Sequence, residues 1–228
     1  IMDGMVITAM RTAAAAGVAA KYLAPKGAKV AGCVGAGVIG RTMIMALKQV
    51  IPSLEEIRLC DLNLQKAEKL AAEFEGIIKV IPTNNLEEAL RGADIIATMT
   101  TSTKPFVKAE FVKEGAMIIQ MSSCEVEKDA VKKADKIVVD SWDQMKENEL
   151  SVLSQMVKSG DLGEHNIWTL KEVVCGKKPG RESDKEITMF SSRGMGCLDI
   201  IIADRLYKEA IKNGLGQKLV LWDEAKWV

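Results

Sequence analysis

The segment 35–40, GAGVIG, carries the strongest chemical signal in the sequence. Its glycines fit the pattern G-x-G-x-x-G: the first makes a tight turn, the second lets the backbone approach a pyrophosphate, and the third lets a helix pack on a strand. An apolar run precedes the motif and a helical pattern follows it, so the free N–H groups of a helix N-terminus would face the phosphates. We therefore predict a dinucleotide site. Its predicted loop contacts are Gly35, Gly37, Val38 and Ile39.

Asp61 lies 21 residues after Gly40, at the end of a second predicted strand. An acidic residue at this spacing accepts hydrogen bonds from the hydroxyls of the adenosine ribose and repels a 2′-phosphate. The alternative is that Asp61 only caps the helix that follows. Residues 62–64 contain no arginine, which favours NAD over NADP, whereas Lys66 is a cation that would suit NADP.

Hydroxyl side chains follow two further predicted strands. In an open parallel sheet the ligand lies at the carboxyl ends of the strands, so these hydroxyls could bind a ribose or a carboxamide. Ordinary turn capping explains them equally well. The predicted contacts of this kind are Thr100, Thr101, Ser102, Ser122 and Ser123.

Strands and helices alternate along the sequence, which is typical of βαβ units. The predicted strands are 29–34, 56–61, 77–82, 93–99, 115–121, 135–141 and 186–192. Most are continuous apolar runs, as expected for strands buried on both faces. Helices are predicted over 7–24 and 196–214, and residues 143–184 are predicted to be helical and polar. The sequence thus predicts an α/β fold with a Rossmann-type, doubly wound parallel sheet over 27–195, its core at about 27–141.

Composition argues against several classes of function. The 228 residues carry 31 basic and 31 acidic side chains without a basic stripe, which argues against nucleic acid as a partner. No apolar run reaches membrane-spanning length. The five cysteines are scattered and odd in number, which favours reduced thiols, and the single histidine, His165, argues against a metal site. We expect a cytoplasmic protein without a metal and without a membrane or nucleic-acid partner.

Four separated stretches point to one protein family. They are ITAMRTAAAAGVAAKYLA (7–24), GCVGAGVIGRTMIMAL (32–47), ATMTTSTKPF (97–106) and the long segment 176–216. Together they resemble the ornithine cyclodeaminase/mu-crystallin family over nearly the whole chain. The last stretch is the most specific, because P-G-R, E-I-T-x-F and a glycine-containing run that ends at Asp199 follow in the family's order. Residues 134–146 also resemble dehydrogenases near the diaminopropionate pathway.

The resemblance implies a homodimer of two-domain subunits, in which a Rossmann domain is joined to a second domain for dimerisation and substrate binding. It assigns residues 1–26 and 196–228 to that second domain, the latter through a returning helix. The family also has an upstream segment with a lysine expected at the substrate, whereas this sequence begins close to the family's R-T motif. We therefore expect the second domain to be N-terminally truncated in this chain.

The family's R-T motif falls on Arg11 and Thr12, and its catalytic aspartate falls on Asp199. The resemblance implies that Arg11 grips a substrate carboxylate, for which a guanidinium offers a planar two-bond fork. It implies that Asp199 orients an amine or a water and moves protons. Without the family, Arg11 would be a solvated helix residue and Asp199 an acid favoured by the helix dipole. Family members carry a glycine where this chain has 121–124, MSSC, which weakens the expected nicotinamide-side contacts.

The implied reaction is NAD-dependent and takes place at the α-carbon of a small L-amino acid. Loss of a hydride from Cα gives an imine. In a cyclodeaminase the side-chain amine attacks that imine, ammonia leaves and the hydride returns, so that L-ornithine gives L-proline. This is the first prediction. The alternatives are an amino- or imino-acid dehydrogenase or reductase of the family, such as alanine dehydrogenase, ketimine reductase or an opine-type dehydrogenase, and a non-catalytic, crystallin-like NAD(P)H-binding protein.

Overall fold

The computed structural model describes residues 1–220, in which eight strands form one sheet. The strands are β1 (Val30–Val34), β2 (Glu56–Cys60), β3 (Lys79–Thr83), β4 (Ile95–Thr98), β5 (Met117–Gln120), β6 (Lys136–Val139), β7 (Ile167–Thr169) and β8 (Thr188–Ser191). The α-helices are α1 (Gly4–Leu23), α2 (Val38–Val50), α3 (Leu64–Ala72), α4 (Leu86–Leu90), α5 (Lys128–Val131), α6 (Trp142–Met145), α7 (Val152–Lys158), α8 (Leu170–Val174) and α9 (Gly196–Lys212). The predicted segment 196–228 extends past residue 220, so its end lies outside the described residues.

The strand order is β3-β2-β1-β4-β5-β8-β6-β7, and every neighbouring pair is parallel. The predicted α/β fold with a doubly wound parallel sheet is confirmed. The order reverses between β1 and β4, and such a topological switch point is where open α/β sheets bind their ligands. Strand β8 inserts between β5 and β6, so the loops that follow β6 and β8 become neighbours.

The prediction of a helical stretch over 143–184 is wrong in part, because β7 lies inside it. Its three residues, IWT, are half-buried at one edge of the sheet. A strand this short cannot show a period of two, and the helical segments around it dominate the local pattern. The other strands agree with the predicted ones to within two residues at either end.

Helix α1 packs along α2 and reaches the core under the sheet. Asp3 caps its N-terminus by accepting the N–H of Met5 at 2.8 Å. Small residues allow the two helices to approach closely, since a Cβ added to Gly17 would lie only 3.4 Å from the Cβ of Ala46. Further along the helix, Leu23 is fully buried in the same core as the central strands.

Helix α9 contacts α1, and none of its own residues is buried. Its exposed apolar side chains are Ile200, Ile201, Leu206, Tyr207 and Ile211.

None of the helices within residues 1–220 combines the length and the apolar character that crossing a bilayer requires. The division of the chain into a Rossmann domain and parts of a second domain stays a prediction.

The P-G-R motif serves the fold. The Nε of Arg181 donates to the carbonyl of Leu23 at 2.8 Å, and its Nη2 donates to the carbonyl of Ala116 at 3.3 Å and to Oγ1 of Thr188 at 3.2 Å. Arg181 therefore ties the end of α1 to the starts of β5 and β8. Because these starts lie at the amino edge of the sheet, the motif is remote from the edge where parallel sheets bind ligands.

Candidate functional site

The glycine loop between β1 and α2 needs glycine at two of its three motif positions for steric reasons. Gly35 has φ +109°, and a Cβ there would lie 2.6 Å from the carbonyl oxygen of Met99. A Cβ on Gly40 would overlap the carbonyl oxygen of Gly35. The N–H of Gly35 also donates to the carbonyl of Cys60 at 2.8 Å, which fixes the turn against β2.

Gly37 differs from the other two, because a Cβ at this position would meet nothing within 4 Å. It is the N-cap of α2, and no side chain caps that helix end. The first N–H groups of α2 are therefore free to bind an anion that approaches Gly37.

Asp61 lies beside this loop at the end of β2. Its Oδ2 accepts the N–H of Ala36 at 2.9 Å, and its Oδ1 accepts the N–H of Asn63 at 2.9 Å. The cap of α3 is Asn63, whose side chain accepts the N–H of Lys66. Asp61 is therefore not the cap residue of that helix, and its contact with a ribose stays a prediction.

A cavity of about 1070 Å³ opens at the switch point between β1 and β4. This is at the upper end of the size range of ligand cavities. It is lined by most of the residues that the sequence predicts for cofactor binding. These are Gly35, Gly37, Val38, Asp61, Thr100, Thr101 and Ser102.

Cations also border the cavity. Arg41, Lys66 and Lys69 line it on the side of Asp61. The Nε of Arg41 forms an ion pair with Oε2 of Glu73 at 2.6 Å. The two lysines form no ion pair among the described residues, so the charge beside Asp61 does not by itself exclude a 2′-phosphate.

Three further residues predicted to contact the cofactor do not line this cavity. Ile39 packs against the hydrophobic core. Ser123 Oγ accepts a hydrogen bond from Nδ2 of Asn148 at 2.5 Å. Ser122 is half-buried on the loop that follows β5. The roles of these residues toward a cofactor stay predictions.

Glu125 is a fully buried carboxyl that the sequence patterns do not indicate. It accepts the hydroxyl of Thr98 at 2.5 Å, and the N–H and hydroxyl of Thr100 at 2.7 Å and 2.5 Å. Burial raises the pKa of the Glu125 carboxyl, and these bonds only partly offset burial. Glu125 thus holds the hydroxyl-bearing loop that lines the cavity. Its signal in the sequence is that it carries the only charge in 115–126.

Arg11 and Asp199 are 188 residues apart in the sequence, and the fold brings them into contact. The Nε of Arg11 donates to Oδ1 of Asp199 at 3.1 Å, and the hydroxyl of Thr8 donates to the same oxygen at 3.0 Å. Thr42, on α2, donates its hydroxyl to the carbonyl of Ala9 at 2.9 Å. This bond anchors the same turn of α1 to the helix that begins at the glycine loop.

The protonation state of Asp199 follows from its neighbours. Partial burial raises the pKa of Asp199, but the hydrogen bonds from Arg11 and Thr8 outweigh burial and hold the pKa below its usual value. Asp199 is therefore ionised at neutral pH.

Thr12, the second residue of the R-T motif, is 6% exposed on α1. Among residues 1–220, no three His, Cys, Asp or Glu side chains group as a metal site would require.

The sequence profile of the ornithine cyclodeaminase/mu-crystallin family matches residues 1–214. The chain belongs to this family. One relative in the family is the alanine dehydrogenase of Archaeoglobus fulgidus, which is 37% identical over 225 residues, covering 96% of this chain and 68% of that protein. The predicted resemblance is thus confirmed.

Two solved structures of the family share the fold. The Δ1-pyrroline-2-carboxylate reductase of Thermococcus litoralis, in complex with NADH and L-proline, is 37% identical with a TM-score of 0.86, over 96% of this chain and 69% of that one. An archaeal alanine dehydrogenase dimer with bound NAD is 36% identical with a TM-score of 0.84, over 94% of this chain and 68% of that one. Relatives this similar therefore bind NAD(H).

Proposed function

We propose that this family member is an NAD(H)-dependent oxidoreductase that interconverts a small L-amino acid and its imino acid. The observation that carries the proposal is the Arg11–Asp199 pair, which is held against the helix that starts at the dinucleotide cavity. The names of the relatives, an alanine dehydrogenase and a pyrroline-carboxylate reductase, support the same chemistry.

The residues at the cavity fit NAD(H). The open position at Gly37 and the uncapped start of α2 suit a pyrophosphate, and Asp61 suits the hydroxyls of the adenosine ribose. Thr100, Thr101 and Ser102 provide donors and acceptors further along the cavity. When bound, NAD(H) accepts or donates the hydride at Cα of the substrate. We propose NAD over NADP because the Asp61 carboxylate would repel a 2′-phosphate.

Arg11 is suited to bind the carboxylate of the substrate. Its Nε is used on Asp199, while Nη1 and Nη2 make no hydrogen bond to protein within the described part of the chain. These two nitrogens form the paired edge of the guanidinium that binds a carboxylate through two parallel bonds. We propose that the α-amino group of a substrate held there lies next to Asp199.

Asp199 is suited to handle the proton on nitrogen. In the oxidative direction the hydride leaves Cα, the C=N bond forms, and the nitrogen must lose a proton. An ionised carboxylate beside the amine can accept that proton, and it returns it in the reductive direction. Hydrolysis of the imino acid would then give a 2-oxo acid and ammonia.

L-Ornithine cyclisation is the second candidate. It shares the first step, and the family includes it by name. Two similar solved structures, of a probable ornithine cyclodeaminase and of a lysine cyclodeaminase, are 24% and 22% identical to this chain, which shows the fold alone. We therefore prefer imine reduction or amino-acid oxidation as the proposed reaction. A non-catalytic, crystallin-like protein would keep the cavity without turnover.

We also propose that residues 1–26 and 196–228, which include α1 and α9, belong to a substrate and dimerisation domain, and that the protein acts as a homodimer. Apolar side chains of both segments, such as Met5, Val6 and Ile200, are exposed. The archaeal alanine dehydrogenase with bound NAD is a dimer.

A substrate panel tests the proposed function. The protein would be given NADH with Δ1-pyrroline-2-carboxylate, or with pyruvate and ammonia, and NAD with L-ornithine, while NADH, ammonia and proline are followed together. We expect NADH consumption with an imine. Ammonia and proline from ornithine without net NADH would establish the cyclodeaminase instead. NADH binding without turnover of any of these compounds would contradict both enzymes and favour the binding protein.

Replacement of Asp61 by asparagine tests cofactor choice. The ratio of the NADH and NADPH dissociation constants should shift towards NADPH by about tenfold, because one hydrogen bond to a charged group is worth about 1.5–3 kcal/mol. We compare the ratio of the two dissociation constants because Asp61 also accepts the N–H of Ala36. Any loosening of that loop would weaken the binding of both cofactors alike. If both weaken equally, measured by fluorescence titration, Asp61 supports the loop and does not bind the ribose.

A further inference from the structure

Asp140 is a buried carboxylate that forms no ion pair with a described residue. It directly follows β6 and is 7% exposed. Its Oδ2 accepts the N–H of Arg193 at 3.0 Å, the N–H of Gly194 at 2.6 Å and the hydroxyl of Ser192 at 2.8 Å, and its Oδ1 accepts the N–H of Ser141 at 2.9 Å. A carboxylate removed from water needs such donors. Most of them come from one loop, residues 192–195, which follows β8.

This loop lies beside the guanidinium of Arg11. Gly194 has φ +90°, a backbone conformation that favours glycine. A Cβ on Gly194 would lie 2.9 Å from Nη1 of Arg11 and 3.6 Å from its Cζ. The absence of a side chain at Gly194 therefore leaves room for the guanidinium, and Asp140 holds the N–H of the same residue.

The same loop leads directly into α9. The N-cap of that helix is Met195, which makes no side-chain cap hydrogen bond. Asp199 lies in the first turn of the helix. Since no side chain caps this end, its position depends on the loop that Asp140 holds. A displacement of the loop would move Asp199 and the support of Arg11 at the same time.

We propose that Asp140 is a positioning residue for the Arg11–Asp199 pair. It fixes the loop 192–195 so that the guanidinium and the carboxylate meet with the geometry that one amino-acid substrate requires. This inference rests on the proposed function, and it assigns to Asp140 an action through Arg11 and Asp199 rather than on the substrate.

The variant Asp140→Asn keeps the shape of the side chain, but its amide nitrogen cannot accept an N–H. We expect kcat/KM for the amino- or imino-acid substrate to fall by about tenfold to a hundredfold, as for a site misplaced by about 1 Å. The dissociation constant of NADH should stay unchanged, because Asp140 does not line the cofactor cavity. Asp135→Asn is the matched control: Asp135 accepts the N–H of Ile187 at 2.8 Å, at the opposite edge of the same two strands. It should leave kcat/KM unchanged.

An Arg11→Lys background separates positioning from general support of the fold. Lysine has no planar fork for Gly194 to support, so adding Asp140→Asn should then lower kcat/KM by less than about threefold. An equal loss in both backgrounds would show that Asp140 acts independently of Arg11 and would overturn the proposal. If Asp140→Asn does not fold, Ser192→Ala takes its place, since it removes one bond to the same carboxylate and keeps both backbone bonds. The proposal is supported if Ser192→Ala lowers kcat/KM by less than Arg11→Lys does, and if this loss becomes smaller in the Arg11→Lys background.

Exchange of the Arg11 Nε–H with water, followed by NMR, gives a measurement that needs no turnover. It should be slow in the native protein because Nε is bonded to Asp199, faster in Asp140→Asn, and unchanged in Asp135→Asn. If the native protein turns over none of the substrates, the proposed function fails, and this measurement still decides the positioning role. Equal exchange in Asp140→Asn and the native protein would overturn it.

Discussion

Replacement of Asp199 by asparagine is expected to lower kcat by about 10²–10⁴-fold, the range by which a positioned acid or base accelerates a reaction. Asparagine can still accept the hydrogen bonds from Arg11 and Thr8, so the geometry of the pair should persist. It cannot accept the proton that the substrate nitrogen must lose. The dissociation constant of NADH should be unchanged, since Asp199 does not line the cofactor cavity. Steady-state turnover and fluorescence titration of NADH measure the two quantities.

Asp204 offers a matched control on the same helix. Its carboxylate forms an ion pair with Lys208 at 2.7 Å and is largely exposed. Asp204→Asn should therefore leave both kcat and NADH affinity at their native values. Turnover that survives Asp199→Asn would show that Asp199 is only a structural partner of Arg11. An equal loss of kcat in Asp204→Asn would show that the loss is not specific to Asp199.

The pH dependence of the reaction offers a second check on Asp199. Its hydrogen bonds from Arg11 and Thr8 hold its pKa below the usual value, so the group stays ionised as the pH falls until it passes below the ordinary pKa of about 3.9. The oxidative kcat/KM should therefore show no acidic limb from Asp199 at neutral pH. A limb near about pH 6 that disappears in Asp199→Asn would contradict the ionised state of this carboxylate.

The sheet could be predicted from the sequence because its strands are buried on both faces. In β4 the apolar run 95–97, IIA, lies between Asp94 and Thr98, and all four residues of the strand are buried. The same signal fails at β7, whose three half-buried residues lie at the sheet edge. Local pattern therefore predicts the central strands and misses the edge, where burial is partial and the strand is short.

The candidate site divides along a similar line. The glycine loop could be predicted from local spacing, because Gly35 and Gly40 lie too close to backbone carbonyl oxygens for a side chain and Gly37 leaves the start of α2 open. Arg11 and Asp199 have no local signal, and only the family resemblance singles them out. The family resemblance does not indicate Glu125 or Asp140. Their hydrogen-bond donors lie in loops 25 and 53 residues away in the sequence and reach these carboxyl groups only in the folded chain.

Alanine substitutions at Gly37 and Gly40 should separate binding from folding within one motif. A methyl group on Gly37 meets no protein atom within 4 Å, so the variant should fold normally, with an unfolding free energy within about 1 kcal/mol of native, since the entropic gain and the poorer helix cap nearly cancel. The methyl group would occupy the space through which a pyrophosphate reaches the start of α2. We expect NADH affinity to fall by about a hundredfold, or about 2.7 kcal/mol, the worth of one or two hydrogen bonds to a charged group.

Gly40→Ala should lower stability first and NADH affinity only as a consequence, because its methyl group would overlap the carbonyl oxygen of Gly35. Helix α2 would have to move away from the glycine turn, and such overpacking costs about 1–3 kcal/mol or more of stability. NADH affinity should fall as well, as a consequence of that shift. Thermal unfolding and NADH titration of both variants therefore form a two-by-two test: Gly37→Ala loses binding alone, and Gly40→Ala loses stability first. If Gly37→Ala bound NADH like the native protein, the phosphates would not approach the backbone at Gly37, and the cavity would hold a different ligand or the dinucleotide in another orientation.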